Sequence, residues 1–355
     1  MLLCCLDAMA EFLRKLRIPL LFFLLGLGLF WFLSRPRNYL SEPLIKEKPL
    51  LDTLVTIKAY GKDREKTERA IDQAFAAMVK IESVANNFAA RSEITHLNRR
   101  SGQGPVKVSP DLLNMIALSL DYSRKTQGAF DVSVGPLTQR WKFGENSYLP
   151  SQEEIAGLLP LVGWEKVGLD RGKQTVELAQ PGMVLDLGGV SKGYAVDKAI
   201  EVLKSHGISR ALVTTGSTTR VIGRKAEEKA WQIGVQHPRD AGKLLGVIPL
   251  TQKSISTSGD YQRYFEKGDK RYHHILDPKT GYPVEGIMAV TVVTSGSCSA
   301  ADILSTGVFA LGFPEALGFV ESEKGLEAII VTSDGKVHLS SGLKGKVEDL
   351  VEKVE

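Results

Sequence analysis

Residues 183–197 join an apolar run, two consecutive glycines and a helical repeat. The run predicts a buried strand, Gly188 and Gly189 predict a turn, and the later apolar spacing predicts a helix ending near Gly207. A glycine turn opening a helix can bind an anion, because free backbone N–H groups and the positive dipole end face outward together. Lys192 lies in the first turn, where the dipole disfavours a cation, and a bound phosphate would explain it. The alternative is an ordinary strand, turn and helix with a solvated lysine.

The order of the predicted elements favours an α+β fold, with mixed or antiparallel sheets and packed helices, over strict βαβ alternation. Predicted helices cover residues 64–89, 109–122, 190–204, 300–311 and 314–323. Predicted strands often follow one another directly and cover residues 50–60, 128–136, 211–216, 231–235, 244–250, 254–257, 273–276 and 288–294. Predicted hairpins cover residues 166–178 and 326–339.

A nearly unbroken apolar run covers residues 18–33. Its 16 residues would span about 24 Å as a helix, a length between a signal-peptide core and a membrane-spanning helix. Three basic residues precede the run and two follow it, which favours an inside N-terminus and an exported remainder. No Ala-x-Ala-like site follows, so an uncleaved anchor is predicted, with a cleaved signal peptide as the alternative. We expect an anchor helix at 1–37, a linker at 38–49 and one domain at 50–355.

Charge and cysteine content exclude two classes of protein. The net formal charge is +4 and no basic cluster follows the N-terminal segment, which argues against a nucleic-acid partner. Three cysteines, two of them adjacent at Cys4 and Cys5, cannot form a disulfide framework. The spacing of cysteines and histidines also fits no zinc site.

Asp302 and Thr306 lie four residues apart on a predicted helix, so their side chains share one face, with Ser305 beside them. A carboxylate and a hydroxyl are hard oxygen ligands of the kind that Mg²⁺ accepts, with water or phosphate oxygens completing the octahedron. The alternative is a helix-capping Asp302 and a packed Thr306.

His274 lies on a predicted strand that runs into a turn, with His273 expected on the opposite side. His274 could act as a base, donate to a phosphate or lie beside a metal, although a lone histidine is often structural. Residues 256–261 add hydroxyls and a glycine, and Asp131 and Asp186 add carboxylates. Together with the anion turn and the metal pair, these groups indicate Mg²⁺-assisted chemistry on a phosphate compound.

Four segments of the chain match one pattern in the same order: 128–136, 186–197, 274–281 and 301–306. Together they resemble the flavin transferases of the ApbE family, which move the FMN part of FAD onto a protein hydroxyl. Weaker agreement occurs at 52–53, 92–98 and 256–261, so the resemblance covers 48–345.

The resemblance assigns roles to particular residues. It implies that FAD contacts Asp186 and Lys192, that the flavin site is lined by Ala129, Phe130 and Asp131, and that the nucleotide touches Leu276. It also implies a Mg²⁺ site formed by the Gly189 carbonyl, Asp302 and Thr306, with Ser305 close by.

The resemblance also implies a reaction in which His274 and Asp302 are catalytic. A serine or threonine of a partner protein would attack the FMN phosphorus, with His274 nearby as a proton acceptor or orienting group. Mg²⁺ would neutralise the pyrophosphate, and AMP would leave. The acceptor would be a subunit of a redox complex, and the catalytic domain would lie on the periplasmic side of the inner membrane, attached by the N-terminal segment.

The chain departs from the family pattern at 214–218, where Ser217 replaces a glycine and Thr218 an acid. Serine in place of a glycine of positive φ would change flavin affinity or orientation. Two other functions are therefore alternatives to FMN transfer: hydrolysis of FAD to FMN and AMP, and non-catalytic FAD binding by an exported protein. The chain lacks the acceptor motif of flavinylated subunits, so self-flavinylation is not expected.

Overall fold

The computed structural model describes residues 39–143 and 146–354. Its strands are β1 Leu44–Leu50, β2 Thr53–Ala59, β3 Val106–Lys107, β4 Val167–Asp170, β5 Thr175–Leu178, β6 Ala211–Thr214, β7 Thr218–Ile222, β8 Trp231–Gln236, β9 Leu244–Leu250, β10 Ser254–Gly259, β11 Tyr264–Lys267, β12 Lys270–His273, β13 Ile287–Thr294, β14 Leu326–Thr332 and β15 Val337–Leu339. Its α-helices are α1 Arg64–Ala85, α2 Glu93–Arg99, α3 Pro110–Lys125, α4 Gly135–Arg140, α5 Gln152–Leu158, α6 Ser191–Ser205, α7 Cys298–Leu311 and α8 Glu315–Ser322.

Within these ranges, eight strands form one antiparallel sheet in the order β1-β2-β6-β7-β10-β13-β14-β15. Smaller antiparallel sheets are β3-β5-β4, β8-β9 and β11-β12. The predicted α+β class with antiparallel sheets is confirmed. The predicted hairpins at 166–178 and 326–339 correspond to β4-β5 and β14-β15.

The apolar core fills the space between the main sheet and its helices. One cluster includes Ile57 of β2, Phe75 of α1 and Ile200 of α6, and a second includes Ile330 of β14 and Phe309 of α7. All five are essentially inaccessible to solvent. Burying each such side chain contributes about 1.5–3 kcal/mol, so packing against the sheet fixes the helices firmly.

The strand predicted at 50–60 is a hairpin, β1-β2, and residues 44–49 of the predicted linker belong to its first strand. Leu51 and Asp52 form the turn with φ of 56° and 57°. Such turns usually carry Asn-Gly or Asp-Gly, so the local sequence does not reveal this one. β1 is an edge strand with charged side chains and Pro49, which obscures its pattern.

Two predicted strands are absent from the described residues. Residues 128–134 and 183–187 are loops, and residues 135–136 begin α4. The two loops are joined by an isolated bridge between Val134 and Val184 and by a hydrogen bond from the Asp186 N–H to the Val132 carbonyl at 2.8 Å. Their apolar side chains are buried because the loops pass through the core beside α6, and this burial mimics the pattern of a strand. The glycine turn followed by a helix is confirmed by α6.

The predicted N-terminal anchor at 1–37 lies outside the described residues. Among the residues that are described, none of the helices combines the length and apolar character needed to cross a bilayer.

Helices α6 and α7 approach each other closely through Gly193. A Cβ at this position would clash with the backbone of Cys298 and Ser299. One turn further along α6, Asp197 accepts hydrogen bonds from the backbone N–H groups of Cys298 and Ser299, both at 2.8 Å. These are free N–H groups of the first turn of α7, so Asp197 attaches the start of α7 to α6.

We expect Gly193→Ala to destabilise the fold by about 1–3 kcal/mol, because the added methyl group would force α6 and α7 apart. The measurement is urea unfolding followed by circular dichroism. Gly157→Ala is the matched control, since a Cβ on this exposed helical glycine meets nothing within 4 Å. The control should gain about 0.5–1 kcal/mol. Equal unfolding midpoints for Gly193→Ala and the unchanged chain would contradict the close approach.

Candidate active site

A cavity of about 850 Å³ opens beside the N-terminus of α6, within the size range of ligand pockets. The loop after α3, the glycine turn, the segment after β12 and helix α7 all contribute to its wall. The predicted site residues that line it are Ala129, Phe130, Asp131, Asp186, Gly189, Lys192, His274, Leu276, Asp302 and Thr306. Ser305 does not line it.

Asp302 is a buried carboxylate held by neutral donors. Its Oδ2 accepts from the backbone N–H of Gly193 at 2.9 Å, and its Oδ1 accepts from Thr218 Oγ1 at 3.1 Å. Burial raises the pKa of Asp302, while Lys192 and the Gly193 N–H oppose that effect. Asp302 forms no ion pair within 4 Å with the residues that the structure describes. A cation in the cavity would therefore compensate its charge.

Thr306 and Gly189 lie beside Asp302 at the cavity wall. Thr306 is one helical turn beyond Asp302 on α7, and a Cβ on Gly189 would lie 3.6 Å from Thr306 Oγ1. That Cβ would also come within 2.9 Å of the Phe130 ring, so glycine allows the turn to approach α7. A carboxylate, a hydroxyl and a nearby backbone form a hard oxygen set that fits Mg²⁺. No group of three or more His, Cys, Asp or Glu side chains that could hold a metal occurs in the described ranges. Water or phosphate oxygens would complete the coordination.

Ser305 faces away from the cavity. Its hydroxyl lies 3.1 Å from Ser256 Oγ and 2.9 Å from Ser258 Oγ, and it donates to the Asp302 carbonyl at 2.9 Å. The side chain is fully buried between α7 and β10. Adjacent helical residues diverge by about 100°, so Ser305 supports the wall behind the site instead of forming part of it.

The glycine turn meets two carboxylates of the chain. Asp186 Oδ1 accepts from the Gly188 N–H at 2.8 Å, and Asp302 takes the N–H of Gly193. These N–H groups are therefore not free to bind a phosphate, contrary to the simplest form of the prediction. Lys192 lines the cavity and donates from Nζ to Ser217 Oγ at 3.2 Å. Its ammonium group is available to an anionic ligand.

Asp131 braces the loop that carries Ala129 and Phe130. Its Oδ1 accepts from the N–H and hydroxyl of Ser133 at 2.8 and 2.7 Å, and its Oδ2 accepts from the Trp164 N–H at 3.0 Å. Burial raises the pKa of Asp131. Both oxygens are engaged within the protein, so Asp131 shapes the cavity wall.

His274 lies in the cavity wall with a buried Nδ1 that has no hydrogen-bond partner in the described residues. Burial, reinforced by the charge of Arg263, lowers the pKa of His274 to about 3. The imidazole is therefore neutral at physiological pH and can accept a hydrogen bond. His273 faces the other way, as predicted, with Nε2 2.8 Å from the Val284 carbonyl and its ring against Phe309.

Several residues that sequence patterns did not single out also line the cavity. Two of them, Thr138 and Asn87, donate hydrogen bonds to the predicted residue Asp186, from Thr138 Oγ1 at 2.7 Å and from Asn87 Nδ2 at 3.3 Å. Asn87 Oδ1 is buried without a partner among the described residues, and Arg263 lies near His274. These side chains come from loops and from a helix far apart in sequence, and no local motif marks them.

The departure at 214–218 does not strain the backbone. Gly216 has a positive φ of 81°, whereas the φ of Ser217 is not positive. The positive φ on which the expected conflict at Ser217 depended is therefore not present. Ser217 instead supplies a hydroxyl to Lys192, and Thr218 supplies one to Asp302.

The antiparallel α+β fold surrounds a nucleotide-sized cavity lined by carboxylate, hydroxyl and ammonium groups. The chain belongs to the ApbE family, whose sequence profile matches residues 51–330. The resemblance seen in the ordered motifs is thus confirmed.

Named relatives and solved structures agree with this family. The FAD:protein FMN transferase of Klebsiella pneumoniae is 32% identical over 312 residues, covering 87% of this chain and 94% of that protein. The ApbE protein of Thermotoga maritima has a TM-score of 0.79 at 30% identity, covering 87% of this chain and all of that one. The flavin transferase ApbE of Vibrio cholerae has a TM-score of 0.75 at 28% identity, covering 86% and 100%.

We expect the His274 ring to remain neutral at about pH 5, because its folded pKa lies far below the ordinary value of about 6.5. The unfolded chain then binds a proton that the folded chain does not, so stability falls as the pH drops below about 6.5. Nitrogen-15 NMR of the imidazole measures the charge directly. His274→Phe should lose less stability between about pH 7 and pH 5 than the unchanged chain. Cationic imidazole signals from His274 at pH 5 would contradict this assignment.

Proposed function

We propose that the chain transfers FMN from FAD to a serine or threonine hydroxyl of an acceptor protein and releases AMP. The observation that carries the proposal is the meeting of Asp302, Lys192 and His274 at one nucleotide-sized cavity. These groups supply a cation ligand, a positive charge for the phosphate and a neutral hydrogen-bond acceptor for the incoming hydroxyl. Relatives named FAD:protein FMN transferase support the choice of substrate.

Gly189, Asp302 and Thr306 would hold the Mg²⁺, which when bound supplies positive charge to the pyrophosphate of FAD. Asp302 suits this role because its two hydrogen bonds come from a backbone N–H and a hydroxyl, which leaves its charge unneutralised. Lys192 contributes a second positive charge from α6. Asp186, oriented by Thr138 and Gly188, would accept hydrogen bonds from FAD on the same wall.

In the transfer, the acceptor hydroxyl oxygen bonds to the FMN phosphorus, and the bond from that phosphorus to the bridging oxygen breaks as AMP leaves. The neutral His274 ring would accept a hydrogen bond from this hydroxyl and orient it, while the hydroxyl proton passes to solvent. Lys192 and Arg263 lie close enough to disfavour a cationic His274. His274 thus stays neutral and acts as a hydrogen-bond acceptor that orients the hydroxyl, since a ring with so low a pKa is a weak base.

Hydrolysis of FAD to FMN and AMP would use the same residues, with water in place of the acceptor hydroxyl. Non-catalytic FAD binding was favoured by the departure at 214–218. The ordinary φ of Ser217 and the bond from Thr218 to Asp302 weaken that argument, because both residues are integrated into the site.

We expect Asp302→Asn to lower FMN transfer at least about a hundredfold, because a cation ligand supplies several kcal/mol of charge stabilisation. The full chain in detergent is incubated with FAD, Mg²⁺ or chelator, and a protein carrying the acceptor motif. Acceptor mass and released AMP are measured together. Asp121→Asn, a surface control on α3, should retain activity. AMP and free FMN with an unmodified acceptor would favour hydrolysis, and FAD binding without either product would favour a binding protein.

We also propose that residues 1–37 anchor the chain in the inner membrane, with the catalytic residues on the periplasmic side and an exported redox-complex subunit as acceptor. The apolar run at 18–33 and its basic flanks support this orientation. Protease added to spheroplasts should degrade the full chain, whereas a chain lacking 1–37 should stay protected in the cytoplasm. Full protection of the intact chain in spheroplasts would contradict the orientation.

A further inference from the structure

A continuous chain of buried hydroxyl groups runs behind Asp302. The hydroxyl oxygens are separated by 2.9 Å (Thr218 to Ser256), 3.1 Å (Ser256 to Ser305), 2.9 Å (Ser305 to Ser258) and 3.3 Å (Ser258 to Thr306). The chain begins at Asp302 Oδ1, which lies 3.1 Å from Thr218 Oγ1, and ends at Thr306 on the cavity wall. It therefore connects the two side chains assigned to the cation.

Proton counting gives this chain a direction. Each hydroxyl carries one proton, and an ionised carboxylate only accepts. Thr218 must then donate to Asp302, so Ser256 donates to Thr218, and the same rule orients the next contacts in turn. Ser305 has a single proton, which goes either to Ser256 or to the Asp302 carbonyl at 2.9 Å, and the second arrangement interrupts the chain between Ser256 and Ser305. At the far end, Thr306 Oγ1 can donate to Ser258 at 3.3 Å or to the Asp302 carbonyl at 3.5 Å, and either donation leaves the oxygen able to bind a cation.

Thr218 is the only link between this chain and the carboxylate group among the described residues. Without its hydroxyl, Asp302 Oδ1 would lose its donor and only the Gly193 N–H on Oδ2 would still orient the carboxylate. Thr218 is fully buried, so water cannot readily replace it. An acid at this position would instead place a second negative charge against Asp302.

We propose that Thr218 is a positioning residue for the cation site, which orients the Asp302 carboxylate towards a divalent cation. The inference rests on the proposed function, because it uses the cation site assigned there. Thr218 itself touches neither the cation nor FAD in this scheme.

The neighbouring residue on β7 provides a matched control. Thr219 is also buried, but its side chain points to the opposite face, where its hydroxyl pairs with Thr214 at 2.6 Å. Thr218→Val and Thr219→Val therefore remove the same group from adjacent positions of one strand. Only the first change affects the hydroxyl chain.

The test is a calorimetric titration: the full chain in detergent, without FAD, is titrated with Mn²⁺, and the dissociation constant is measured by isothermal titration calorimetry. Mn²⁺ accepts the same oxygen ligands as Mg²⁺. We expect Thr218→Val to weaken Mn²⁺ binding about 10- to 100-fold, since a buried hydrogen bond to a charged group is lost. Thr218→Ser, which keeps the hydroxyl, should remain within about threefold of the unchanged chain, and Thr219→Val should bind normally. Asp302→Ala should abolish the signal, which identifies the site being titrated.

Urea unfolding in the absence of cation is the control for folding, and we expect both valine variants to be folded. A loss of Mn²⁺ binding can then be assigned to the site and not to unfolding. Normal Mn²⁺ binding by folded Thr218→Val would overturn the proposal and leave the proposed function standing. Equal weakening by Thr219→Val would also overturn it, since general packing would then explain the effect. No Mn²⁺ binding by the unchanged chain would overturn both the positioning role and the cation site. Weakened Mn²⁺ binding by Thr218→Val in a chain that fails to flavinylate any acceptor would support the positioning role and count against the transferase alone.

Discussion

The close contact between α6 and α7 is the constraint on which the site depends. Gly193 lets the two helices meet, Asp197 attaches the first turn of α7, and the Gly193 N–H then donates to Asp302. The positive end of α6 is thereby directed at a carboxylate of the chain itself. Lys192, one residue earlier, projects into the same cavity. A single helix start thus positions both a negative and a positive group for a ligand.

Three charged side chains at the cavity, Asp186, Lys192 and Asp302, form no ion pair within 4 Å among the described residues. Asp302 is surrounded by a backbone N–H and hydroxyls, which stabilise its charge without cancelling it. His274 lies near cations and in a buried position, so it remains neutral. A site of this kind can bind a divalent cation and an anionic phosphate ligand, because each ligand would compensate the charge of a side chain that has no ion-pair partner. The hydroxyl groups behind Asp302 orient its carboxylate without adding charge.

Local sequence predicted the site better than it predicted the strands around it. Asp302 and Thr306 share a helix face, and residues one turn apart must do so whatever the surrounding fold. His273 and His274 diverge because neighbouring side chains of extended backbone point to opposite sides. Burial in loops was mistaken for strand formation at 128–136 and 183–187, since apolar content reports burial and not hydrogen bonding. The β1-β2 turn escaped prediction because Leu51 and Asp52 adopt positive φ without glycine.

The sequence by itself determined the α+β class, the glycine turn before α6, the helix that carries Asp302 and the family resemblance, because each depends on residues close together in the chain. Only the tertiary structure decided which donors hold each group. It turned Ser305 to the back of the cavity wall, brought the Trp164 N–H to Asp131 across 33 positions of sequence and brought Thr218 to Asp302 across 84. Hydrogen-bond partners of this kind depend on how the sheet and helices pack, and the distance along the chain carries no information about them.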